Sequence, residues 1–120
     1  MEENGRKKLQ EAGVNVEDAL NRFMGNEALF MRFLFKFAED GTYGKFTAAM
    51  EQKDYKGAFE ALHTLKGLCG NLSLDDLYRV VSREVEFLRG EQYGEAHALL
   101  PEVEAEYNKI IPIIGSMKEQ

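Results

Sequence analysis

His63 is the residue whose type and setting suggest covalent chemistry. It lies in "FEALHTLKGLCGNL", residues 59–72, with Lys66 three positions on, Gly67 four and Gly70 seven. An ordinary imidazole has a pKa of about 6.5, so at pH 7 most of it is neutral and carries a free nitrogen lone pair. A lysine one helical turn away can meet an anion carried on the ring. A mid-helix glycine costs about 1 kcal/mol relative to alanine, so two of them need a reason. A nucleophile, a nearby cation and an unobstructed approach suit transient capture of a phosphoryl group. No second acid or base, metal cage or substrate pocket accompanies them.

The helical phase decides which way these groups point. At about 100° per residue, Ala58, Leu62, Leu65, Cys69 and Leu72 share one arc, and Ala61 and Leu68 extend it. That arc is the core stripe. His63 falls about 150° from its centre on the same wheel, towards solvent. Gly67 and Gly70 lie on the same outward face, with Lys56; Lys66 and Phe59 flank it. The glycines therefore clear surface beside the ring rather than allow close helix packing. Gly70-Asn71 also reads as a helix C-terminal signal. That leaves Gly67 unexplained, because Leu68, Cys69 and Leu72 continue the stripe.

Other candidates are weaker. Glu60 and His63 have the E-x-x-H spacing of di-iron bundles, but such sites need two inward-facing copies and two further carboxylates. No metal site is expected. His97 lacks neighbouring glycines or a matched cation and reads as a surface histidine. Cys69 lies on the core stripe and reads as a small buried residue. Arg6, Lys7 and Lys8 read as solvated charges.

The elements that must hold the stretch are helical. The chain has 120 residues, 44% hydrophobic and 30% charged, which suits one all-α domain with one core. Its net charge of −6 argues against nucleic acid as a partner. A single cysteine allows no internal disulfide. The N-terminus has no apolar signal-peptide core, and no apolar run approaches the ~20 residues of a membrane span. These features lead us to expect a cytoplasmic protein.

Residues 1–12 read as a flexible N-terminal arm, and residues 13–120 as a single domain. Asn15 caps a short helix closed by Gly25, and Asn26 caps the next. In that next helix Leu29, Phe30, Phe33, Leu34 and Phe37 form a wide apolar stripe, expected to be wrapped on several sides. A shorter helix covers about 45–52. Asp54 caps the helix of His63, and Ser73 is expected to cap the one after it, with Asp76 as capping-box partner. That helix carries Leu77, Val81, Val85 and Leu88 and stops at Gly90. In the last, from about 93, the stripe keeps phase across Pro101, which favours a kink over a break. The pattern predicts an up-and-down antiparallel four-helix bundle with one or two short additional N-terminal helices. No second apolar stripe is left over, so we expect a monomer.

"HTLKG", His63 to Gly67, followed by Gly70-Asn71-Leu72, resembles the signature of histidine-containing phosphotransfer (HPt) domains of multistep phosphorelays. "GVNVEDALNRFMGNEALFMRFLFKF" resembles that family's opening helices, and "EVEFLRGEQY" its hairpin between the last two long helices. The resemblance implies a four-helix bundle with His63 as the phosphorylated nucleophile, Lys66 contacting the phosphoryl group and Gly67 leaving room for the partner. It implies phosphoryl exchange with an aspartate of a response-regulator receiver domain, or with a hybrid histidine kinase. Mg²⁺ is then expected on the receiver and no cofactor on this chain. Partner docking is expected around Phe59, the Gly67–Gly70 patch and Arg89. Two positions depart from the family: Ser73 stands where glycine is usual, and Val85 where some members place a polar residue facing the histidine. No Walker-type or other glycine-rich phosphate loop is present, so the chain is expected to be an intermediary without kinase activity of its own. The leading methionine suggests a free-standing protein. The competing reading is a helical binding module that sequesters a receiver or inhibits a kinase without being phosphorylated.

Overall fold

The computed structural model describes residues 1–119. Every regular element in them is a helix: α1 Glu3–Glu11, α2 Val16–Arg22, α3 Glu27–Glu39, α4 Thr42–Glu51, α5 Tyr55–Asn71, α6 Asp75–Arg89 and α7 Tyr93–Lys118. α5 packs against α4 on one side and α6 on the other, and α7 closes the bundle against α6 and α3. α3 and α4 are not packed side by side. They occupy one position of the four-helix bundle in succession, joined at Asp40–Gly41. The 10-residue α4 is thus a bundle element, packed more extensively on α5 than any other helix is.

Helix starts follow local chemistry. Asn15, Asn26 and Asp54 each accept a backbone N–H at 3.0 Å, from Asp18, Leu29 and Gly57. α1, α2, α4, α5 and α6 share one way of stopping. The second residue after the last helical one turns left-handed: Gly13, Met24, Lys53, Ser73 and Glu91. Its N–H and the next one then close back on the final turn, as with Ser73 to Gly70 and Leu74 to Cys69. This Schellman closure satisfies carbonyls that the helix leaves unpaired. The expectation at Ser73 is therefore corrected. Ser73 ends α5 rather than capping α6, whose N-cap is Leu74 with no side-chain bond.

The segment expected to be a flexible arm is instead helical and packed. Leu9 and Ala12 are buried and Gly5 lies against Met117 of α7. A residue at every third or fourth position gives even this polar stretch a face to bury. The loop after α1 is pinned to the α5–α6 turn, because Gly13 O accepts from Asp76 N at 3.2 Å and Ser73 O from Asn15 N at 2.9 Å. Gly13 sits at φ +90°, and a side chain there would run into the Asp76 carboxyl.

α3 is less enclosed than its composition suggests. Phe30, Leu34 and Phe37 are buried, but Phe33 is 41% exposed. α3 packs chiefly on α7 and α2, and Phe33 lies on a side that opens into a cleft rather than into the core. α7 runs unbroken through Pro101 and Pro112. Each proline removes one helical donor, and both lie on the exposed face, where water can reach the freed carbonyls.

Among the described residues one fully buried carboxylate has no partner. Glu84 on α6 is fully buried among Val80, Val81 and Leu88, and neither carboxylate oxygen has a hydrogen bond. Burial pushes its pKa up to about 7. The folded state therefore holds a proton that the unfolded chain releases near pH 4.5. Stability is expected to fall as pH rises through the window from about 4.5 to 7, by on the order of 3 kcal/mol, and to level off above it. Urea midpoints from pH 5 to 8 check this, and Glu84→Met should flatten the profile and raise the midpoint at pH 8. Gly13→Ala should lower the unfolding free energy by about 2 kcal/mol at every pH.

Candidate functional site

α5 presents its outer face because its inner one is consumed by the core. Ala58, Leu62, Leu65 and Cys69 are buried, with Leu72 just beyond the helix end. Burial also pushes the Cys69 thiol up to about 12, so this sulfur stays protonated. The opposite face carries His63, exposed to solvent. Its ring stacks on that of Phe59 one turn earlier, with centroids 5.9 Å apart and planes 14° apart. Arg89 of α6 lies over the Phe59 ring, 5.5 Å from its centroid, and pairs with Glu86. Phe59 therefore sets the inclination of the imidazole from one side. No hydrogen bond to the His63 ring is formed among the described residues. Val85 is fully buried and does not reach it.

Beyond the ring a cleft of about 460 Å³ opens, lined by His63, Lys66, Gly67, Gly70 and Asn71 of α5, Asp75 and Tyr78 of α6, and Arg22 of α2. The two glycines differ. A Cβ on Gly67 would meet nothing within 4 Å, so the space beside the imidazole is open. A Cβ on Gly70 would touch the Tyr78 ring at 3.4 Å. Gly70 thus lines the cleft with Tyr78 beside it, whereas the surface at Gly67 is bare. Tyr78 also receives Lys66, whose Nζ stands 5.9 Å from the ring centroid. The ammonium stands at the cleft with no carboxylate partner among the described residues.

Residues 31–111 match a family model described as Hpt domain. The chain belongs to the Hpt domain family. Hpt domains are phosphotransfer intermediates of phosphorelay signalling, and this Hpt domain has their all-helical bundle. Searches of curated proteins and of solved structures gave no significant match. No helix among the described residues is long and apolar enough to cross a membrane.

The Hpt site also contains groups that the sequence did not single out. Tyr78 and Asp75 come from α6, and Arg22 comes from α2, 41 positions before His63. Tyr78 could have been suspected as an aromatic on the polar side of α6. Arg22 carries no local signal; the packing of α2 against the α5–α6 turn brings it in. His97, by contrast, is absorbed into structure. Its Nε2 lies 2.9 Å from the Tyr55 hydroxyl, and Tyr55 stacks on Tyr93 at 3.8 Å. Among the described residues no group of three or more His, Cys, Asp or Glu could hold a metal ion.

Because nothing abuts Gly67, Gly67→Ala should gain helix propensity without a clash and raise the unfolding free energy by about 1 kcal/mol. That gain would mark the glycine as serving something other than stability. Chemical denaturation of the two proteins side by side measures it.

Proposed function

We propose that this Hpt domain accepts and donates a phosphoryl group at His63, in exchange with an aspartate of a response-regulator receiver domain. The observation that carries the reading is the bare surface at Gly67 beside a solvent-exposed, Phe59-stacked imidazole, with Lys66 at the same cleft and without an ion-pair partner among the described residues. In the transfer, the lone pair of the outer ring nitrogen forms an N–P bond as the bond between phosphorus and the aspartyl oxygen breaks. The bonding pair leaves with the carboxylate. In-line displacement needs the two side chains end to end with nothing between them. A residue larger than glycine at position 67 would stand in that approach. Lys66 balances phosphoryl charge on this side of the transition state. Mg²⁺ is expected on the receiver, and this chain acts without kinase activity of its own.

Incubation with phosphorylated receiver domains tests the reading. Acid-labile label should appear on the wild-type chain and be abolished in His63→Gln. Lys66→Ala should slow transfer by about 10- to 100-fold. Gly67→Gln should block transfer while the protein remains folded. Label on His63→Gln would remove the assignment. Absence of label with every receiver tried would leave the non-phosphorylated binding module.

A further inference from the structure

Three residues from two distant segments, Asp18 and Arg22 of α2 and Ser73 after α5, make one chain of contacts at the edge of the His63 cleft. Ser73 is buried and left-handed at φ +54°, a conformation that costs a residue with a Cβ roughly 1 kcal/mol. Its hydroxyl donates to Asp18 Oδ2 at 2.6 Å. The same oxygen accepts from Arg22 Nε at 2.9 Å. The Asp18 carboxyl is held below its ordinary pKa, first by the Ser73 hydroxyl and then by Arg22. Arg22 is gripped through Nε alone. Its two terminal nitrogens make no hydrogen bond among the described residues, and the side chain is 52% exposed. Such a fixed fork fits a carboxylate side-on.

Its position selects the acceptor. Arg22 and Asn71 line the His63 cleft and also a second, apolar cleft of about 630 Å³ formed by Phe23, Phe33, Phe37, Leu68 and Leu72. Arg22 thus stands at the seam between the two, at the Asn71 end. Asn71 is eight residues beyond His63, or about 12 Å along the helix. Lys66, one turn from His63, is the cation placed to meet a phosphoryl group on the imidazole. That leaves Arg22 for an oxyanion that arrives with the partner. A receiver that offers an aspartate and holds Mg²⁺ through oxygen ligands presents a carboxylate-rich face around its phosphorylation site. The charges are complementary.

We propose that Arg22, positioned by Ser73 and Asp18, pairs with a carboxylate on the docking face of the receiver and so helps to decide which receivers seat productively over His63. This rests on the phosphotransfer reading of His63. Ser73 and Asp18 are positioning residues; Arg22 makes the contact. The serine that replaces the usual glycine then has a task, because glycine would permit the turn but could not hold Asp18.

The experiment uses a phosphorylated receiver domain chosen because it labels the wild-type chain at His63. Transfer rates are measured against receiver concentration. Arg22→Ala should raise the KM about tenfold, the loss of one charge-assisted contact, and leave the saturating rate within about twofold. Arg22→Lys should recover part of the loss. Ser73→Gly, which keeps the left-handed turn, should raise KM about threefold, and this effect should vanish in the Arg22→Ala background. Raising salt should weaken wild type more than Arg22→Ala. An unchanged KM in Arg22→Ala overturns the proposal. So does a fall in the saturating rate at constant KM, which would put Arg22 at the phosphoryl group. A Ser73→Gly effect that persists without Arg22 also overturns it. Failure of the wild-type chain to take label at His63 defeats the underlying reading instead, and is seen before any variant is made.

Discussion

The burial of one stripe on α5 is the constraint from which the site follows. A helix is a rigid rod, so committing Ala58, Leu62, Leu65 and Cys69 to the interior fixes the rotation of every other residue on it. His63 has no freedom to face inward while those four remain buried. The interaction that orients the histidine is therefore the hydrophobic packing on the far side of its own helix. The polar chemistry at the surface is light by comparison: a stacked phenyl ring on one side and an ammonium over Tyr78 on the other. Among the described residues no hydrogen bond reaches either imidazole nitrogen.

Much of this was legible in the sequence because it depends on period alone. The stripe on α5, the outward His63, the caps Asn15, Asn26 and Asp54, and the passage of α7 through Pro101 all follow from spacing or from one side chain's local chemistry. What stayed hidden depends on which surfaces meet. Phe33 belongs to an apolar stripe by phase, yet it lies open to a cleft. Gly70 and Gly67 share a face by phase, yet Tyr78 of α6 borders one and leaves the other bare. Arg22 enters the site through a hydrogen bond between residues 55 positions apart. The role of Ser73 was misread for a related reason: a serine before a helix signals a cap, but here the preceding helix claims it for its own closure.

The α5–α6 turn concentrates these non-local effects. It receives the α1–α2 loop through backbone bonds at Asp76 and Asn15, and α2 through the Ser73 hydroxyl. The N-terminal helices are thereby joined to the bundle beside the cleft rather than at a distance from it. They add the seam between the polar and apolar clefts, which the His63 helix could not form by itself.

The repeated left-handed stops separate sturdiness from activity. At Met24, Lys53 and Glu91 the backbone turns through a shape that glycine adopts more readily, and Met24 is almost wholly in water. Anyone wanting a more heat-tolerant version could relax those three corners without approaching the reactive face. At the fourth such corner, Ser73, the identical change would ease the same backbone while releasing the tether that aims a guanidinium. One geometric motif is thus ordinary scaffolding at three places and part of the working surface at another.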